Sequence, residues 1–170
     1  MKWGYFSLIF LCWNLISSCQ ATHIHLHGTI HKPYCGGARP TEEQAQGITI
    51  AASKMVFSVF EQLGTEQKFI KNISLDESGN YDGELKEGQY YLKRIEKTWE
   101  IPAINAHFLI FDTLYYRPKS EKAITQWRTE ADATFDAKKG RLKLEVNIPL
   151  TEKCFVGLNP CIEYIGPKPH

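Results

Sequence analysis

Residues 141–150 read RLKLEVNIPL. Leu142, Leu144, Val146, Ile148 and Leu150 fall on one parity, and Arg141, Lys143, Glu145 and Asn147 on the other. Side chains alternate across a strand but recur every ~3.6 residues along a helix, so this order predicts a half-buried strand and would scatter its leucines around a helix. The preceding EADATFD (130–136) repeats the pattern, with Ala131, Ala133 and Phe135 opposite Asp132, Thr134 and Asp136. The AKKG between them predicts a hairpin whose outer face pairs Asp132 or Asp136 with Arg141 or Lys143. Further out, SKMVFSVF (53–60), TEQKFIKNISL (65–75) and GQYYLKRIEK (88–97) read as strands rich in residues that favour a pleated surface. AHFLIFDTLYY (106–116) reads as a buried strand. Helical signals are few: one turn over PTEEQAQ after Pro40, and a short helix over SEKAITQW capped by Ser120. Many short strands separated by Gly, Pro and Asn predict an all-β protein, an antiparallel β-sandwich, rather than an α/β scaffold.

The N-terminus has another character. Lys2 precedes an apolar run from Trp3 to Ile16, followed by small residues, which is the order of a signal peptide over residues 1–21. Ile16-Ser17-Ser18-Cys19 resembles a lipobox, in which Cys19 is lipidated and becomes the new N-terminus; cleavage after Ala21 is the alternative. Residues 22–170 then form a single domain, long enough for its own core. Lys and Arg total 20 against 19 Asp and Glu, and no basic stripe argues for nucleic acid. Of the cysteines at 12, 19, 35, 154 and 161, the last three belong to the domain. In an oxidising compartment one disulfide and one thiol account for them. Cys154 and Cys161 flank a turn-forming CFVGLNPC and are the first expectation for the pair, while Cys35 with either remains open.

ISLDESGNYDGELKEGQYYLKRIEK (73–97) has an acidic turn with Gly, an aromatic, a short strand, Gly-x-Tyr and another strand, in which Asp76, Gly79, Tyr81, Leu85, Gly88 and Tyr90 hold the key places. This segment resembles the core signature of prealbumin-like (transthyretin-like) carboxypeptidase regulatory-like domains. Glu87 departs from it, standing where the family usually has proline. CGGARP (35–40) and CFVGLNPCIEYIGPKP resemble the ends of a narrower group of small bacterial exported proteins. The resemblance implies a prealbumin-like sandwich of about seven to eight strands with one or two short helical turns. It also implies a non-catalytic folding, adhesion or accessory module.

The richest chemistry lies in HIHLHGTIH (23–31). His23, His25, His27 and His31 share one parity and Ile24, Leu26 and Ile30 the other, so a strand burying the aliphatics presents all four imidazoles outward. Imidazole suits zinc and copper, which makes this face a candidate transition-metal site. A solvated outer face is the plainer reading, and neither His-Glu-x-x-His nor Cys-x-x-Cys accompanies it. Cys35 beside Arg39 is a candidate nucleophile, although a thiol enzyme also needs a base and His31 reaches it only across a sharp turn. DESGNYDGE offers oxygen groups to calcium, yet Gly79 stands at loop position four, where an EF-hand has its glycine at six. Asn72-Ile73-Ser74 is a sequon in form. Trp99, Trp127, Tyr115 and Tyr116 suit an aromatic platform or, more simply, core packing.

The expected function is a non-enzymatic exported binding or structural module. It would sit at the cell envelope, held to the membrane by a lipid on Cys19, with an envelope protein or ligand as partner and no cofactor. The alternative is an envelope zinc- or copper-binding protein using the His23–His31 face.

Overall fold

The structure is a computed structural model that describes residues 21–37, 39–109, 112–138 and 143–167. Residues 1–20 of the expected signal segment 1–21, with the lipidation site Cys19, and the tip of the AKKG turn lie outside the described residues.

Two four-stranded sheets carry the fold. The first is built on β1 (Thr22–Lys32). Along one side of β1 runs β9 (Lys143–Thr151), parallel to it, with Ile24 opposite Leu144 and Ile30 opposite Leu150. Along the other side two short antiparallel strands lie end to end: β5 (Asn80–Leu85) against residues 22–27, and β2 (Ile48–Ala51) against residues 29–32. Gly28 sits where one partner gives way to the next, donating its N–H to Gly79 O at 2.8 Å and accepting from Ala52 N at 2.9 Å. A Cβ there would lie 2.5 Å from Leu75 Cδ1 and 3.0 Å from Ala52 Cβ, so only glycine lets the chain cross this closely.

The second sheet is wholly antiparallel, in the order β4 (Glu66–Ser74), β3 (Val56–Leu63), β6 (Gly88–Arg94), β8 (Ala133–Ala137). Phe57, Val59, Tyr90 and Leu92 from this sheet meet Ile24, Leu26, Val146 and Ile148 from the first in one buried cluster. Each such side chain removed from water contributes about 1.5–3 kcal/mol, which makes this two-sheet core the main source of stability. A ribbon of β7 (Tyr116–Pro118) and β10 (Ile162–Tyr164) completes the strands.

The chain is therefore mostly β, as its alternation predicts, but five expectations are corrected. The strands number ten among the described residues, and β1 with β9 makes the first sheet mixed rather than antiparallel. Among the described residues, three helices and a 3-10 turn replace the one or two helical turns expected: α1 (Glu42–Ala45), the 3-10 turn Ile95–Thr98, α2 (Ile101–Phe108) and α3 (Glu121–Thr129). Ser120 Oγ caps α3 by accepting from Ala123 N, as the sequence signals, and the turn expected after Pro40 is α1, which Thr41 caps in a reciprocal box with Gln44. The start of AHFLIFDTLYY belongs to α2, because Pro102 opens its first turn and Ile101, Ile104 and Phe108 recur at helical spacing. Nor do β8 and β9 form a hairpin: β8 pairs β6 in the second sheet and β9 pairs β1 in the first. Alternation along a strand fixes which face is buried and says nothing about which strand lies alongside.

The first expectation for the disulfide, Cys154 with Cys161, is corrected, and the alternative that gives Cys35 a partner holds. Cys35 joins Cys154, with Cα atoms 5.1 Å apart, and Cys161 is a buried thiol. Because β1 and β9 run the same way, their C-terminal ends lie side by side, and Glu152 N still donates to His31 O at 2.9 Å. The two cysteines just beyond those ends meet across the ladder. Cys161 is instead drawn into a second, smaller core with Ile104 and Ile124, ringed by Trp99, Phe108 and Trp127.

Candidate functional site

The outer face of the first sheet carries the histidines as their parity predicts. His23 is exposed, and His25, His27 and His31 are half-buried, while Ile24, Leu26 and Ile30 point into the core. Each imidazole has a neighbour on the adjacent antiparallel strand. His25 Nδ1 lies 2.9 Å from Asp82 Oδ1, and His23 Nε2 lies 3.4 Å from the same oxygen. His27 Nδ1 lies 2.7 Å from Asn80 Oδ1, and His31 Nδ1 is 3.4 Å from Thr49 Oγ1. A carboxylate and an amide oxygen only accept, so His25 and His27 donate from Nδ1. The hydrogen bond from His25 holds the Asp82 carboxyl below its ordinary range, with His23 adding to the effect. Across the parallel edge, Glu145 faces His25 in register and is likewise lowered, chiefly by its hydrogen bond from Lys143. No group of three or more His, Cys, Asp or Glu side chains among the described residues stands ready to hold a metal ion.

Other sequence candidates separate. Cys35 is bound in the disulfide and offers no thiolate there. In the acidic turn, Asp76 Oδ1 accepts from Ser78 N at 2.8 Å and Asn80 N at 2.7 Å, while Asp82 faces the histidines, so its oxygens do not converge on one point. Asn72 lies on β4, its Oδ1 accepting from Ser58 Oγ at 2.8 Å.

A second site arises where the 3-10 turn, α3 and the segment 149–160 meet in a cleft of about 460 Å³. At its base Asp132, Lys97 and Arg94 are buried together, their side chains 7%, 3% and 9% exposed. Lys97 Nζ lies 2.9 Å from Asp132 Oδ1 and donates to Glu130 O at 2.9 Å. Arg94 donates its backbone N–H to Asp132 Oδ2 at 2.7 Å and a guanidinium N–H to Leu158 O at 3.3 Å. Arg94 Nε stands 3.5 Å from Asp132 Oδ1, within ion-pair reach but out of line for a hydrogen bond, and makes none among the described residues. The Arg94 and Lys97 cations each lie 5.3 Å from the centroid of the Trp127 ring, within reach of its negative face. Lys119 and Lys153 border the opening. Burial first, and then the neighbouring Lys153, lower the affinity of Lys119 for its proton.

This cluster is absent from the sequence expectations, which paired Asp132 with Arg141 or Lys143. Lys143 instead bonds Glu145 at 3.0 Å. A signal for it exists: in β6, Arg94 shares the inward parity of Tyr90 and Leu92. A cation on a core-facing position requires a buried partner.

Beside this cleft, and sharing Lys119 and Lys153 with it, a groove of about 540 Å³ runs along the disulfide under Tyr34, Phe155 and Tyr164. Phe155 holds a left-handed backbone, φ 66°, and its ring lies 4.4 Å from that of Tyr164. Trp99 and Trp127 pack on the smaller core as expected, whereas Tyr115 is 40% exposed.

No family model matches the chain, and no curated protein matches it. Among solved structures, the crystal structure of (S)-allantoin synthase aligns at 12% identity and a TM-score of 0.38, over 84% of this chain and 45% of that one. The chain spans less than half the length of that protein, and a likeness at this level carries no argument about fold family or activity.

Proposed function

We propose that the chain is an exported, non-catalytic binding or accessory module with a prealbumin-like sandwich, held at the cell envelope by a lipid on Cys19. The observation that carries the reading is the Cys35–Cys154 bridge, which ties the exits of two core strands together. Such bridges persist in oxidising compartments and are rare in reducing ones. Supporting it, no helix among the described residues is long and apolar enough to cross a membrane, so attachment would fall to the N-terminal segment. The test is to express the full chain with its native N-terminus in a bacterial host and fractionate the cells. The expected result is an envelope-bound protein with Cys35 and Cys154 oxidised, labelled by radioactive palmitate in a way that Cys19→Ala abolishes. A cytosolic protein with both thiols reduced overturns export, and unlabelled protein overturns the anchor.

A second reading, zinc or copper binding by the His23–His31 face, is favoured by one feature. His25 and His27 donate Nδ1–H to Asp82 and Asn80, which is how outer partners orient imidazoles that bind metal through Nε2. Zinc titration of the full chain tests it: saturable binding lost on replacing His23, His25 and His27 together supports the reading, and no micromolar binding ends it.

A further inference from the structure

We infer that the cleft between α3 and the segment 149–160 binds a small organic carboxylate, its charge directed at Arg94 and Lys97 and its apolar body against Trp127 and Leu158. This gives a ligand class to the binding-module reading and rests on it.

Three features point the same way. The first is charge. Four cationic side chains, Arg94, Lys97, Lys119 and Lys153, line the cleft against only two carboxylates, Asp132 and Glu130. Asp132 alone stands between two buried cations, so the base of the cleft keeps a positive excess in surroundings that disfavour uncompensated charge. Arg128, whose Nε donates to Lys97 O at 3.2 Å, adds to that excess, and Glu96 on the same 3-10 turn offsets part of it. Consistent with a cationic field, Lys93 loses proton affinity first to burial and then to the neighbouring charge of Lys97.

The second is an unused donor. Arg94 Nε is buried and lacks a hydrogen bond among the described residues, although Arg94 is only 8% exposed. Its nearest carboxylate oxygen, Asp132 Oδ1 at 3.5 Å, is out of line, and a ligand oxygen would supply the hydrogen bond that burial otherwise leaves unmade.

The third is the wall. Trp127, Leu150, Leu158 and Pro160 give the cleft an apolar side next to the cations. A planar carboxylate suits the edge of a guanidinium, and a flat or aliphatic body suits that side. The cleft's 460 Å³ fits a molecule of metabolite size.

The test uses the full-chain protein and three probes at constant ionic strength: benzoate, acetate and inorganic phosphate. Binding is followed by the indole N–H signal of Trp127, assigned by its loss in Trp127→Phe. The expected result is a saturable shift with benzoate, Kd below about 1 mM, and weaker binding of acetate. Lys119→Gln with Lys153→Gln removes two rim cations without touching the buried cluster, and should weaken benzoate at least about tenfold. No saturable shift up to about 10 mM benzoate overturns the proposal. Phosphate binding more tightly than benzoate overturns the carboxylate assignment, and equal affinity in the double variant overturns the location. These readouts do not depend on export or lipidation, so their failure leaves the module reading to its own test.

Discussion

Asp132 illustrates how much one side chain can decide. Its oxygens take an N–H from Arg94 and the ammonium of Lys97, both buried, so its removal leaves two cations without their anion. Losing one member of such a group costs about 3–5 kcal/mol. Asp132→Ala should therefore lose that much in urea unfolding, and a loss below about 1 kcal/mol would show that the cluster contributes little. Asp82 acts on the opposite, exposed face. A carboxyl held below its ordinary 3.8 in the folded chain contributes stability above that value, and loses it as the pH falls through the lowered one. Thermal melts taken on the acid side should show a shallower fall for Asp82→Asn than for the parent. An identical acid limb in the two proteins would remove His25 and His23 as the cause.

At the scale of the element, local chemistry was legible wherever it acts locally. Ser120 caps the helix the sequence assigns to it, because a side-chain oxygen satisfies an N–H only two or three residues away. Ser120→Ala should cost about 1 kcal/mol, with loss of far-ultraviolet helical signal confined to the α3 contribution. No change in unfolding midpoint would indicate that packing of Ile124 and Trp127 alone sets this helix. Strand faces were equally legible: Ile24, Leu26 and Ile30 are inside and the histidines outside. The hairpin between β8 and β9 was not, since a short turn-forming segment serves a crossing between layers as well as a return within one.

The whole molecule is held together by a pairing far apart in sequence. Cys35 and Cys154 are 119 residues apart, and closing a loop of that size in the unfolded chain is worth up to about 5 kcal/mol. Cys35→Ser with Cys154→Ser should lower stability by about 2–5 kcal/mol, whereas Cys161→Ala removes no bridge and should leave intact mass consistent with one disulfide. If Cys161→Ala abolished the disulfide instead, the pairing would be the local one. The same parallel docking of β9 on β1 brings the segment after β9 toward α3 and so closes the carboxylate cleft. The cleft therefore depends on the long-range ladder as much as on its own residues.

The mostly β character, the inward and outward faces of β1 and β9, and the Ser120 cap of α3 are written in the local order of the residues. These follow from side-chain period and from hydrogen bonds spanning a few residues. The parallel seat of β9 on β1, the bridge from Cys35 to Cys154, and the meeting of Arg94, Lys97, Asp132 and Trp127 in one cleft arise from the closed fold. Those are choices among distant partners with the same local pattern, and they are made when two layers close over a common core and leave each buried charge only the neighbours that the closure supplies.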